Sequence, residues 1–243
     1  MCTSITFHNG DHFYFGRNLD LEYSFGEKVA ILPRAYRLKF CREPDLEHHY
    51  AMIGMANVTD GYPLYAEAVN EKGLCMAGLN FPGNAFYGEE AEGKNIAPYE
   101  IIPWVLAQCA TIDEAERLWQ GMHLAGIPFR EHLPLAPLHW IVADQKRCVV
   151  IEPMKEGVKI MENPVGVLTN NPPLDFHLTN LRQYLNVTAQ PPQDRFGGEW
   201  GLSPFGQGMG AMGLPGDVSP ASRFVRAAFH KAFFRCKAPR NSS

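Results

Sequence analysis

Apolar and polar residues alternate from the start of the chain. Residues 3–7 are rich in β-formers, His8-Asn9-Gly10-Asp11 has turn chemistry, and residues 12–15 run apolar again, which predicts a β-hairpin. Its second arm leads through Gly16 into Arg17-Asn18-Leu19-Asp20 and so returns Arg17 and Asp20 toward Cys2. Further β-type runs cover 28–32, 65–69, 74–79, 138–143, 148–153 and 158–161, most of them joined by short polar turns, so antiparallel sheets are expected. Thr111 and Glu114 make a capping-box pattern ahead of Ala115, Leu118 and Trp119 at helical spacing. Other helices are expected over 98–109, 175–185 and 219 or 220 to 234. Strands and helices each come in runs, which suits an α+β layered domain better than repeated βαβ units. From Val187 to Pro220 inclusive lie eight glycines and five prolines, a loop long enough to expect a functional role.

Composition narrows the class. With 243 residues, 46% hydrophobic and 20% charged, the chain buries roughly 70–75% of its extended surface and needs no disulfide or structural metal for its core. Lys and Arg number 22 against 26 Asp and Glu, a net charge of -4, so neither nucleic acid nor an anionic membrane is expected as a partner. The longest nearly unbroken apolar stretch, 101–110, falls far short of the ~20 residues of a membrane helix. The first eight residues carry no basic n-region and no apolar h-region, which points to a cytoplasmic protein with reduced thiols.

Cys2 is the one residue in a chemically unusual place. Removal of Met1 exposes a thiol and a free α-amine on one residue, nucleophile and base together. An α-amine ordinarily titrates at ~7.7–8.0 and a thiol at ~8.5, so both are within reach of neutrality. A guanidinium such as Arg17 favours the thiolate, and Asp20 can orient the ammonium. An early cysteine is equally what a buried small side chain at the head of a strand looks like, so position 2 alone does not decide. Other motifs carry less. Gly208-Met209-Gly210-Ala211-Met212-Gly213 fits G-x-G-x-x-G but follows no predicted strand and runs into Leu214-Pro215-Gly216. The nine histidines lack metal-ligand spacing, so no metal and no cofactor are expected.

Six segments in order decide what the isolated residues do not. Met1-Cys2-Thr3 with Phe15-Gly16-Arg17-Asn18-Leu19-Asp20, then Gly78-Leu79-Asn80-Phe81-Pro82-Gly83, Leu168-Thr169-Asn170-Asn171-Pro172, Asp175-Phe176-His177 with Asn180-Leu181-Arg182, and Gly213 to Ser219 running into Ser222-Arg223-Phe224 resemble the choloylglycine hydrolases. These are N-terminal-nucleophile amidases that include bile salt hydrolases and penicillin V acylases. The resemblance implies a four-layer αββα sandwich of two antiparallel sheets between helical layers. It implies Cys2 as nucleophile, Arg17 and Asp20 setting its protonation and orientation, Arg223 supporting the same cluster, and Asn80 and Asn170 holding the oxyanion. It further implies a small-molecule conjugated bile acid or other acyl amide as substrate, its apolar body lined by segments 21–25, 55–64 and 126–135. Penicillin V acylases of this family often carry Tyr where this chain has Asn80, which favours bile acids over penicillin V or N-acyl-homoserine lactones.

The likeness runs to about residue 230 of a single domain, and 231–243 reads as a divergent tail. Family members continue further, so the sandwich is expected to be incomplete at its C-terminus, with bare sheet edges that lower solubility and activity unless a homo-oligomer covers them. The non-enzyme alternative is an inactive truncated paralogue.

Overall fold

The first strand carries two different faces. β1 (Cys2–Asn9) alternates buried Cys2, Ser4 and Thr6 with half-buried Thr3, Ile5 and Phe7, as a strand with a layer on each side must. Gly10, at φ 59°, makes the turn into β2 (His12–Leu19), and the hairpin pairs from Cys2↔Leu19 to Asn9↔His12. The chain continues through β3 (Lys28–Leu32), β4 (Met52–Thr59), β5 (Tyr62–Asn70), β6 (Cys75–Asn80), β7 (Lys94–Ile96), α1 (Ile101–Gln108) and α2 (Ile112–Trp119). Then come β8 (Met122–Leu124), β9 (Leu138–Ala143), β10 (Cys148–Met154), β11 (Gly157–Glu162), β12 (Val167–Leu168), α3 (Leu174–Leu181) and α4 (Pro220–Phe233). A computed structural model describes residues 1–233, so most of the tail expected at 231–243 lies outside the described residues. No described helix is long and apolar enough to cross a membrane.

Strands β11-β10-β9-β6-β5-β4-β3 form a seven-stranded antiparallel sheet, and β12-β1-β2 form a three-stranded one. Helix α1 packs on β5 and β6 beside α2, β1 meets β6 across the sheets, and α4 packs on β1 and β12 beside α3. The layers therefore run helices, large sheet, small sheet, helices. Inner strands of the large sheet are apolar on both sides. Met76, Trp140 and Val142 join Trp104 and Leu106 under α1, whereas Ala77, Leu79 and Ile141 face a second cluster that contains Cys2, Val167, Leu174 and Phe224. The thiol at the head of β1 thus lies in the core between the sheets.

Most expected elements are present with shifted ends. Thr111 Oγ1 accepts from the Glu114 N–H at 3.2 Å, which starts α2 as the capping pattern predicts, while Glu114 Oε2 accepts at 2.6 Å from the Ala110 N–H, one residue ahead of the cap. Helix α1 begins at Ile101 instead of 98, because Glu100 turns its buried carboxylate back to the Ala97 and Cys41 N–H groups. The expected helix over 175–185 tightens into a 3-10 turn at Arg182–Tyr184. Two features lie outside the expected strand runs. Segment 55–64 forms part of β4 and its hairpin into β5, and the Gly54 that disguises the strand is required where β5 comes close: a Cβ there would lie 2.6 Å from the Ala68 Cα. The expected runs pair antiparallel, and the short β7 and β8 add a parallel pair across the α1–α2 crossover. Between Val187 and Ser219 only the 3-10 turn Met209–Ala211 interrupts an irregular course, and it absorbs the G-x-G-x-x-G match.

Candidate active site

Strand register brings Cys2 and Asn170 together. β1 and β12 pair Ser4↔Leu168, so the same register two residues on sets Asn170 opposite Cys2. The Cys2 backbone N–H donates to Asn170 Oδ1 at 3.0 Å. On β2, Arg17 stands opposite Ser4 and reaches into the large sheet, where Nη1 meets Glu67 Oε2 at 2.6 Å and Nη2 donates to the Gly78 carbonyl at 2.7 Å. The same Nη2 lies 3.7 Å from Cys2 Sγ. From α4, Arg223 Nη1 donates to the Cys2 carbonyl and, at 2.8 Å, to Thr3 Oγ1, while Nη2 donates to Asn170 Oδ1 at 2.8 Å.

Asp20 follows the end of β2. Its N–H donates to the Met1 carbonyl at 3.1 Å, its carbonyl accepts from the Met1 ammonium, and its carboxylate lies 3.8 Å from that nitrogen. Asn80 ends β6, with its carbonyl accepting from Asn170 Nδ2 at 2.7 Å and its side chain at the surface. The orientation of the Asn170 amide is unambiguous, because Cys2 N–H and the Arg223 guanidinium can only donate and must face an oxygen. One Nδ2 hydrogen goes to Asn80, which leaves the other for a ligand. All six residues singled out in the sequence therefore gather within one cluster, drawn from β1, β2, β6, the exit of β12 and α4.

Glu67 belongs to this cluster and escaped the sequence reading. It is the one carboxylate inside the otherwise apolar run 65–69, a signal that a buried cation faces it. Arg17 is 4% exposed and Glu67 23%, so the pair is held largely out of water. Burial pushes the Glu67 carboxyl above its usual range, and the Arg17 charge and hydrogen bond oppose the rise. Burial likewise holds the Arg223 guanidinium below its usual value. The strand thiols of buried Cys75 and half-buried Cys148 are pushed up to about 12 by desolvation, far from any thiolate at neutral pH. Iodoacetamide is therefore expected to alkylate Cys2, in protein that has lost Met1, ahead of Cys75 and Cys148. Peptide mass mapping over a time course checks this order, and its reversal would deny Cys2 a reactive thiol.

Comparison with known proteins places the chain in a family. Residues 2–242 match the sequence model for linear amide C-N hydrolases, choloylglycine hydrolase family. The chain belongs to the choloylglycine hydrolase family. A bile salt hydrolase/transferase of Lactiplantibacillus plantarum is 51% identical over 95% of this chain and 71% of its own length. One from Clostridium perfringens is 40% identical over 94% of this chain and 71% of its own. A solved structure of a conjugated bile acid hydrolase variant from Clostridium perfringens superposes with a TM-score of 0.88 at 38% identity, covering 96% of this chain and 72% of that one. Penicillin V acylase from Agrobacterium tumefaciens shares the fold, with a TM-score of 0.74 at 18% identity over 97% of this chain and 66% of that one. The sandwich is thus the N-terminal-nucleophile hydrolase fold, and this choloylglycine hydrolase family member is an enzyme acting on linear amide C–N bonds.

Proposed function

We propose that the chain hydrolyses the amide that joins a bile acid to glycine or taurine, with Cys2 as nucleophile once Met1 is removed. The 51% identity with a bile salt hydrolase/transferase carries the substrate class. In this reading the α-amine of Cys2 takes the thiol proton as sulfur attacks the amide carbon. Charge collects on the amide oxygen, and the free Nδ2 hydrogen of Asn170 with the Asn80 side chain stabilises it, each donor being worth about 3 kcal/mol of barrier. The α-ammonium then gives its proton to the departing glycine or taurine nitrogen, the C–N bond breaks, and a thioester remains on Cys2. Water, deprotonated by the same amine, releases the bile acid and restores the thiol.

Arg17 steadies the thiolate, Arg223 fixes the Cys2 and Asn170 backbone and amide, and Asp20 orients the ammonium. Exposed Leu21, Tyr23 and Leu133 offer apolar surface for a rigid steroid body whose burial places the amide over sulfur. A free nucleophilic thiol suits a reducing compartment, the cytoplasm. Release of glycine or taurine from glycocholate and taurocholate is compared with cleavage of penicillin V at equal concentration. Faster turnover of the bile acid conjugates is the expected result, and faster penicillin cleavage would overturn the substrate assignment. Turnover of none of the three by protein with a titratable Cys2 would overturn the enzymatic reading.

A further inference from the structure

Two fully buried histidines, His139 on β9 and His177 on α3, lie against the site without taking part in the attack. Each ring stacks on the aromatic neighbour of a site residue. His139 lies on Phe81, next in sequence to Asn80, with centroids 4.1 Å apart and planes at 7°. His177 lies on Phe224, next to Arg223, at 4.8 Å and 11°. Each ring also grips the segment that leaves β12: His139 Nε2 donates to the Thr169 carbonyl at 2.9 Å and His177 Nε2 to the Asn170 carbonyl at 3.0 Å. A carbonyl only accepts, so both Nε2 atoms carry hydrogen.

We infer that His139 and His177 are positioning residues, a buried layer that fixes Asn80, Asn170 and Arg223 relative to Cys2. The need for such a layer follows from the shortness of β12. Its ladder with β1 ends at Leu168, two residues before the amide that must be held. Glu152 ties the layer together, since its Oε1 accepts from the Leu174 N–H at 2.9 Å at the start of α3 and faces His139 Nδ1 at 3.4 Å. His177 shows what the arrangement costs. Burial lowers its basicity, which keeps it neutral with a single N–H, and its Nδ1 is buried without a partner. A leucine would fill the same space without that cost, so the retained donor points to the bond it makes with Asn170.

The inference rests on the roles given above to Cys2 and Asn170, and the test separates the two. Turnover of glycocholate and alkylation of Cys2 by iodoacetamide are measured for His177→Leu, His177→Gln and Asn170→Ala. Glutamine places an N–H where the imidazole Nε2 stood, and leucine does not. His177→Leu is expected to lower kcat by about 10–100-fold, the scale of a misplaced catalytic group, with KM within about twofold of the parent. Cys2 alkylation should be unchanged, because iodoacetamide reacts without an oxyanion, and His177→Gln should recover most of the lost turnover. Parental kcat in His177→Leu, failure of glutamine to restore it, or an equal fall in alkylation would each overturn the inference. Should His177→Leu not fold, Phe224→Leu decides: it removes the stacking face and keeps the donor, and an unchanged kcat would count against the layer. Parental kcat in Asn170→Ala would instead overturn the reading of the site itself.

Discussion

Cys2→Ser is expected to fold as the parent does and to turn over at least about 10³-fold more slowly, the order of loss when a nucleophile is removed from an otherwise intact site. Cys2 is 2% exposed in the core between the sheets, and oxygen for sulfur is a small change of volume there, so the melting temperature should barely move. The chemistry changes far more. Arg17 Nη2, 3.7 Å from sulfur, is placed to favour negative charge on a nucleophilic sulfur. It cannot bring a serine hydroxyl within range of a weak terminal base. The loss should fall on kcat, with KM for glycocholate little changed. Thermal melts beside steady-state kinetics decide the matter, and a serine variant that keeps more than about a tenth of parental turnover would mean that Cys2 is not the nucleophile.

An alanine inserted between Met1 and Cys2 is expected to cost about 10²–10⁴-fold, the usual worth of a positioned general base. With Met1 attached, the Cys2 nitrogen is an amide whose N–H donates to Asn170 Oδ1 at 3.0 Å, and an amide nitrogen has no proton affinity at neutral pH. Loss of Met1 turns the same atom into an amine while keeping its acceptor, and leaves the Asp20 carboxylate, 3.8 Å from the Met1 nitrogen, close to the new terminus. The inserted residue preserves the amide whatever processing removes ahead of it, and Met1 is half-exposed, so the extension projects outward without disturbing β1. Intact mass should show active parent protein without Met1. Full activity in the alanine-extended chain would rule out the terminal amine as the base.

Much of the fold is legible because it is local. The β1–β2 hairpin has a turn of its own, β6, β9 and β10 are apolar on both faces, and α2 carries its cap in its first four residues. What the sequence conceals depends on partners far along the chain. β7, β8 and β12 have two or three residues each, too few for any period to register, and they are strands only because a neighbour pairs with them. β4 is interrupted by Gly54, whose reason lies in the backbone of β5. For the site, the residues themselves suggest Cys2, Arg17 and Asp20, since the hairpin folds the latter two back on the first. Asn80, Asn170 and Arg223 come from family resemblance, because no local pattern encodes a contact set by the register of a two-residue strand. Glu67 and His139 lie inside strand runs and His177 inside a motif that carries the family resemblance, and none of the three was given a role, since a polar side chain inside an apolar run announces that it has a partner without saying which.

The distances along the chain between Cys2 and its backbone partners bear on how the protein is made. The Cys2 nitrogen is held by a residue 168 positions away and its carbonyl by one 221 positions away. Contacts of such separation form late, after the loop-closure entropy of the long intervening segments has been met. A ribosome delivers the nucleophile well before the clamp of α4, so a nascent chain holds a reactive thiol and nothing to use it with. Catalytic competence thus arises late, when α4 packs against the first strand, and turnover measures the fraction of chains in which that long-range closure is made.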